Sequence, residues 1–219
     1  MAIQKTSFYN NAFIGLYCRA NDSVALIPRN SSPEFEALVS KALEVPAKRV
    51  YVDESGLLGV FSALNNKGCI LPHFASDADV SNIKRDTGLN VARLEDALSP
   101  GTNILANDSA ALLNPLMGRE DAKIIRDCLG VETFQQPQAN ATVGAMNLVT
   151  NRGLLAYNDT PDVVLKFLDK IFKVKGAVGS VNFGSTANGF GLVANGKGAL
   201  VGERTSGVEM QRVYEGLFG

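Results

Sequence analysis

Cysteine is scarce in this 219-residue chain. Cys18, Cys69 and Cys128 are an odd number, widely spaced, and no CxxC joins them. That argues against a disulfide framework and a zinc cluster and fits a reducing compartment. Three small apolar side chains in strands and a helix account for them. Histidine is scarcer still: His73, next to Pro72, is the only one. A lone imidazole is more often a surface or satisfied residue than a catalytic base. No apolar run approaches the roughly 20 residues of a membrane-spanning helix. The opening MAIQKTSFYNN lacks the apolar core of a secretory signal, so a soluble, cytoplasmic protein is expected. An excess of one charge is missing too: 21 Lys and Arg stand against 22 Asp and Glu, a net charge of −1. Proteins that grip phosphates along a duplex are usually basic overall, so any nucleic-acid contact here is local or secondary to a protein contact. With 46% apolar and 20% charged residues, the composition is that of a folded globular chain.

What is present is repetition. Asn21 leads NDS, Asn65 leads NNKG, Asn107 leads NDS, Asn151 leads NRG and Asn195 leads NGKG, at steps of 44, 42, 44 and 44 residues. Asn tolerates positive φ and bonds its own backbone through a turn, so Asn followed by a small or polar residue between two apolar runs signals a hairpin. A fixed period of this size marks an internal repeat.

Each turn sits in the same sequence of signals. The spacing predicts opening strands at Lys5–Tyr9, Arg49–Val52, Val91–Leu94 and Val178–Phe183. It predicts first hairpin arms at Phe13–Tyr17, Leu57–Phe61, Ile104–Leu105, Val143–Val149 and Phe190–Ala194. Second arms follow at Val24–Ile27, Cys69–Leu71, Ala110–Leu113, Gly153–Tyr157 and Ala199–Val201. A helix then closes each unit. Ser32 with Pro33, Ser76 with Asp79, and Ser206 with Glu209 read as helix starts. Gly130 reads as a stop after Leu129. Val163, Val164, Phe167, Leu168, Ile171 and Phe172 make the fourth helix the most apolar, and Met210, Val213, Tyr214 and Leu217 form the inward stripe of the last.

A unit of about 44 residues with one helix cannot bury both faces of its small sheet alone. No polar capping unit stands at either end, and the chain starts on a strand and ends on a helix. The expected fold is therefore one α/β domain of five repeats, about 1–45, 46–89, 90–130, 131–175 and 176–219. It closes into a five-bladed pseudo-fivefold α-β propeller, with sheets around a central channel, helices outside and all Asn turns on one rim.

The run Ser7–Gly15, the segment Gly68–Pro72, the run Arg93–Ser99 before Gly101–Thr102, and Asn107–Asp108 ahead of an apolar strand resemble the translation initiation factor 6 family over the whole chain. Ending at Gly219 without a long charged tail, the chain looks like an archaeal member. The resemblance implies the pentein fold. It also implies binding to the joining face of the large ribosomal subunit, near the sarcin–ricin loop and mainly on a ribosomal protein, so that the bulk of the factor keeps the small subunit away. A role in large-subunit biogenesis goes with it. A monomer without cofactor, metal or small-molecule substrate is implied. The candidate docking residues are those of the turn rim: Asn65, Asn66, Lys67, Asn107, Asp108, Asn151, Arg152, Asn195 and Lys197. Turns favour Asn with or without a partner, so the basic charges of Lys67, Arg152 and Lys197 are the better hint of contact with an acidic tail or rRNA phosphate.

The alternative is a guanidine-modifying hydrolase, since penteins include deiminases. Those need a Cys nucleophile near the last blade, a His base and carboxylates, and no Cys lies in the last unit. Gly191–Gly198 nearly spells a phosphate-binding loop. Gly198 follows Lys197 where Ser or Thr would hold magnesium, and the loop joins two strands rather than opening a helix. Asp77, Asp79 and Asp121 read as helix-start carboxylates.

Overall fold

The computed structural model describes residues 3–135 and 142–219. In chain order the elements are β1 (Ile3–Thr6), a 3-10 turn (Ile14–Leu16), β2 (Arg19–Ala20), β3 (Ala25–Pro28), α1 (Pro33–Leu43), β4 (Ala47–Val50), α2 (Leu58–Phe61), β5 (Ala63–Leu64), β6 (Gly68–Leu71), α3 (Asp77–Thr87) and β7 (Asn90–Arg93). Then come α4 (Pro100–Asn103), β8 (Ile104–Ala106), β9 (Ala110–Leu113), α5 (Arg119–Leu129), β10 (Glu132–Gln135), α6 (Val143–Met146), β11 (Leu148–Val149), β12 (Gly153–Tyr157), α7 (Asp162–Phe172), β13 (Lys175–Gly179), α8 (Asn188–Gly191), β14 (Leu192–Ala194), β15 (Ala199–Gly202) and α9 (Gly207–Phe218). No helix among the described residues is long and apolar enough to cross a membrane.

Among the described residues the strands form five separate three-stranded sheets. In each, a short inner strand pairs antiparallel with a middle strand, and an outer strand from the next repeat pairs parallel with it. The last sheet is completed differently. Its outer strand is β1, from the start of the chain, with Ile3 opposite Ala199 and Thr6 opposite Gly202. Chain start and chain end thus share one sheet, as the repeat argument expects. The sheets do not hydrogen-bond into one continuous barrel; the ring closes by packing. Inner strands β2, β5, β8, β11 and β14 each touch the next, and β14 touches β2 again.

The core is five wedges, each between neighbouring sheets with a long helix on the outside. One holds Val193 and Leu200 of the last sheet against Ala25, Ile27 and the α1 residues Val39, Ala42 and Leu43. Middle strands are covered on both faces, with Gly68–Leu71 and Ala110–Leu113 buried throughout. They read as unbroken apolar runs for that reason. The helix starts are as expected: Ser32, Ser76 and Ser206 accept from the backbone N–H three residues on, and Gly130 ends α5 in the left-handed region.

The structure differs from the sequence reading in four respects. The segments expected as long first arms, Phe13–Tyr17, Leu57–Phe61, Val143–Val149 and Phe190–Ala194, are short helical turns followed by strands of two or three residues. A short buried apolar run has no periodicity to tell helix from strand. The opening strands end early: Tyr9, Asp53 and Phe183 lie in tight turns with positive φ, closed by the bridges Phe8–Asn11, Val52–Ser55 and Val181–Ser185. Val163 and Tyr214 are exposed. Each repeat's opening strand joins the sheet of the repeat before it.

The helical turns explain how five blades approach one axis. Gly15, Gly59, Gly101, Gly144 and Gly189 are the second residues of these turns. A Cβ on any one would strike the carbonyl oxygen of the preceding glycine in the ring, with Gly15 meeting Gly189 to close the circle. Only a residue without a side chain permits this approach.

Candidate functional site

The turn rim is built from the asparagines upward. Asn65 Oδ1 accepts from the N–H groups of Lys67 (2.9 Å) and Gly68 (3.0 Å), holding its own turn. Its Nδ2 donates to the carbonyl of Asn107 (3.2 Å) in the next turn and to that of Leu129 (2.9 Å), the last residue of α5. Asn107 repeats this with Ser109, Ala110, Thr150 and Phe172, the end of α7. Asn195 repeats it with Lys197, Gly198, Asn21 and Leu43, the end of α1. Each amide therefore closes one turn, links it to the next, and caps a helix whose terminal carbonyls lack intrahelical partners.

The fourth turn departs from the expected register. Its equivalent residue is Thr150, not Asn151: the Asn107 amide reaches the Thr150 carbonyl, and Thr150 Oγ1 accepts from Arg152 and Gly153 N–H. Counted on Thr150, the steps match those of the glycine ring. A threonine has no amide to cap the last helix, and Arg152 supplies that contact. Its guanidinium donates to the Phe218 carbonyl (3.2 Å) and lies 5.7 Å over the Phe218 ring. Lys67 and Lys197 donate likewise to the carbonyls of Gly130 and Glu44, just past α5 and α1.

Asn65, Asn107 and Asn195 are consequently buried, whereas the sequence reading has them facing a partner. Their amides are engaged inside the ring because turn closure and helix capping need both ends of the side chain. What the rim presents to solvent is Lys67, Asn151, Arg152 and Lys197, with Asn66 and Asp108 half-buried. The mouth of the channel is closed by a square of side chains. Asn66 and Asn151 each donate to both Asp22 and Asp108, at 2.7–3.1 Å. Burial pushes the Asp22 carboxyl up, but Asn151, the Gly196 N–H, Asn66 and the charge of Lys197 hold it below the usual range. Asp22 and Thr150 escaped sequence reasoning; counting the repeat on backbone position rather than on Asn finds both.

Arg19 escaped it as well. It stands two residues before Asn21, where the other repeats place Ala63, Leu105, Leu148 and Val193, and all five line a cavity of about 50 Å³ on the axis. Its guanidinium donates to the carbonyls of Gly59 (2.7 Å), Gly101 (2.9 Å) and Gly189 (3.3 Å). Burial lowers its pKa to about 10, so it stays cationic at neutral pH, held by carbonyl dipoles. An axis has room for one such side chain, so only one repeat carries it.

The opposite face is different. Tyr9, Leu116 and Phe183, at 70%, 81% and 85% exposure, lie in its loops, as does Phe74. Its turns are pinned by helix-start carboxylates. Asp79 accepts from Asp53 N–H, Asp121 from Glu95 and Asp96 N–H, and Glu209 from Phe183 and Gly184 N–H.

The thiols are not arranged for chemistry. Cys18, Cys69 and Cys128 are buried, and burial raises all three, Cys128 to about 11. His73 lies exposed against Phe74. Among the described residues no group of His, Cys, Asp and Glu is placed to hold a metal ion. Asn195–Gly198 is a hairpin turn, with Asn195 N–H on the Gly198 carbonyl.

Residues 3–216 match the eIF-6 family. The chain is 36% identical over 217 residues to translation initiation factor 6 of Thermoplasma acidophilum, covering 98% of this chain and 99% of the other. It is 35% identical over 222 residues to that of Saccharolobus islandicus, covering 99% of each, and 34% identical over 224 residues to that of Thermococcus onnurineus, covering 99% and 98%. Among solved structures, it is similar to the N-terminal domain of ArgZ, an arginine dihydrolase from cyanobacteria. There the TM-score is 0.49 and the identity 13%, over 75% of this chain and 67% of the other.

Proposed function

The chain belongs to the eIF-6 family of translation factors, and from that premise we propose that it binds the large ribosomal subunit and keeps the small subunit from joining. It acts as a cytoplasmic monomer, by steric occlusion and without catalysis, and serves large-subunit assembly as well. The docking surface in this reading is the turn rim: Asn66, Lys67, Asp108, Asn151, Arg152 and Lys197 make contact, while buried Asn65, Asn107 and Asn195 hold them in place. The observation that carries the reading is the bonding between neighbouring turns, with Asp22 N–H on Asn66, Asn66 N–H on Asp108 and Asp108 N–H on Asn151. A rim tied in this way is a rigid platform, so docking loses little ordering entropy. A ribosomal protein near the sarcin–ricin loop is the proposed partner, with a local rRNA contact.

The test is sedimentation of large subunits with the protein at moderate salt, beside light scattering of subunit joining. Co-sedimentation and suppressed joining are expected. Replacing Lys67 and Lys197 together by Glu should weaken co-sedimentation. Free joining in the presence of saturating protein would sink the role.

A further inference from the structure

Two depressions meet at the first sheet, away from the turn rim: the larger lies toward the end of β1, which belongs to the last sheet, and the smaller lies toward the second sheet. The larger, about 640 Å³, is walled by the rings of Phe8, Tyr9, Tyr17 and Tyr51. The smaller, about 330 Å³, continues it between β4 and α3 and holds Arg29, Arg49 and Arg85. Arg29 and Tyr51 line both, with the Arg29 guanidinium 5.2 Å over the Tyr51 ring. Arg49 is paired with Glu36 and Arg85 with Asp86. Arg29, at the junction, has no carboxylate partner among the described residues.

We propose that this groove binds a short unpaired RNA segment, its bases stacked on the tyrosines and its phosphates on the arginines. Stacking on aromatic rings beside a basic track is how single strands are held, because every base has a π-face and every linkage a charge. The volumes fall in the range of ligand sites. Asn30 and Glu54 also line the larger depression and offer amide and carboxylate groups to base edges. Its rims are set by two turns with Tyr9 (φ 48°), Asn10 (φ 60°), Asp53 (φ 50°) and Glu54 (φ 59°) in the left-handed region. A non-glycine residue is uncommon there, so these turns place Tyr9 and Glu54 in one defined geometry. A proline-rich peptide would use the rings but has no need of three arginines. The proposal deepens the ribosomal reading and rests on it only for the source of the RNA.

The experiment is fluorescence anisotropy of labelled hexauridylate and hexaadenylate with the whole protein. Saturable binding is expected below about 0.1 mM protein at low salt. Tyr51→Ala should weaken it about tenfold, and Arg29→Glu should weaken it and reduce the salt slope by about 0.7. Arg29 is exposed, so its variant tests the groove even if Tyr51→Ala fails to fold. No saturable binding, binding indifferent to Arg29→Glu, or capture of a labelled polyproline peptide in place of RNA would overturn the proposal. Co-sedimentation of the same samples with large subunits separates the two readings. Subunit binding without oligonucleotide binding removes the groove and leaves the ribosomal role. Oligonucleotide binding without subunit binding does the opposite.

Discussion

Replacing Asn107 by Ala removes four contacts from one buried point. Two turn N–H groups, of Ser109 (2.9 Å) and Ala110 (3.2 Å), lose their acceptor. Two carbonyls, of Thr150 (3.1 Å) and Phe172 (2.9 Å), lose their donor. At about 1 kcal/mol each, and more where a buried group is orphaned, the loss is about 4 kcal/mol. For a chain of this length that lowers Tm by roughly 10 °C. Urea unfolding reads the first and a thermal melt the second, both followed by circular dichroism. The fourth turn supplies a sharper control. There Thr closes the turn and Arg two residues on caps the helix. Asn107→Thr alone should lose stability, because Thr cannot reach Phe172. Adding Ser109→Arg, the counterpart of Arg152, should restore part of it. A loss below about 1 kcal/mol for Asn107→Ala, or no recovery in the double variant, would refute the account of the ring. Reduced ribosome binding by an Asn107 variant says nothing about contact until its stability is known.

Gly101→Ala drives a Cβ into the Gly59 carbonyl and should cost about 3 kcal/mol or more by overpacking, whereas Gly207→Ala, with open space around it, should be near neutral; thermal melts compare the two. Arg19→Met leaves three axial carbonyls without their charged donor and should cost about 3 kcal/mol, with Lys unable to restore the fork of contacts; urea midpoints decide it. Burial pushes the Glu209 carboxyl up, but the N–H groups of Ser206 and Gly184 and the Ser180 hydroxyl outweigh it and bring the pKa from 4.5 down to about 2. The unfolded chain therefore binds the proton more readily, and the stabilisation is full above pH 4.5 and is lost as pH falls toward 2. Glu209→Gln should flatten that part of the stability curve, and an unchanged slope would contradict it.

The period, the five units, the hairpin turns and the capped helices were legible in the sequence, because they depend on neighbours along the chain. Ser76 with Asp79 three residues on, ahead of an apolar helical pattern, reads as a capping box, and the structure has it; Asn65 closes its own turn through the N–H groups of Lys67 and Gly68. Closure was legible from a weaker sign, a chain that starts on a strand and finishes on a helix. What hid was everything that needs the axis. Gly15, Gly59, Gly101, Gly144 and Gly189 recur at the steps of the turns, yet a lone glycine inside an apolar run reads as a bend until its carbonyl neighbour across the ring is known. Arg19 looks like a surface charge on a short strand and becomes an interior cation only when four other repeats converge on it. The asparagines look available for a partner in one dimension; in three, the amide oxygen of Asn65 is taken by its own turn and the amide NH2 by the next turn and a helix end, and Asn107 and Asn195 repeat this. The sequence by itself determined the local modules, since turn and cap chemistry acts over three or four residues. The tertiary structure decided which polar groups remain on the surface, because that depends on contacts between residues more than 40 positions apart.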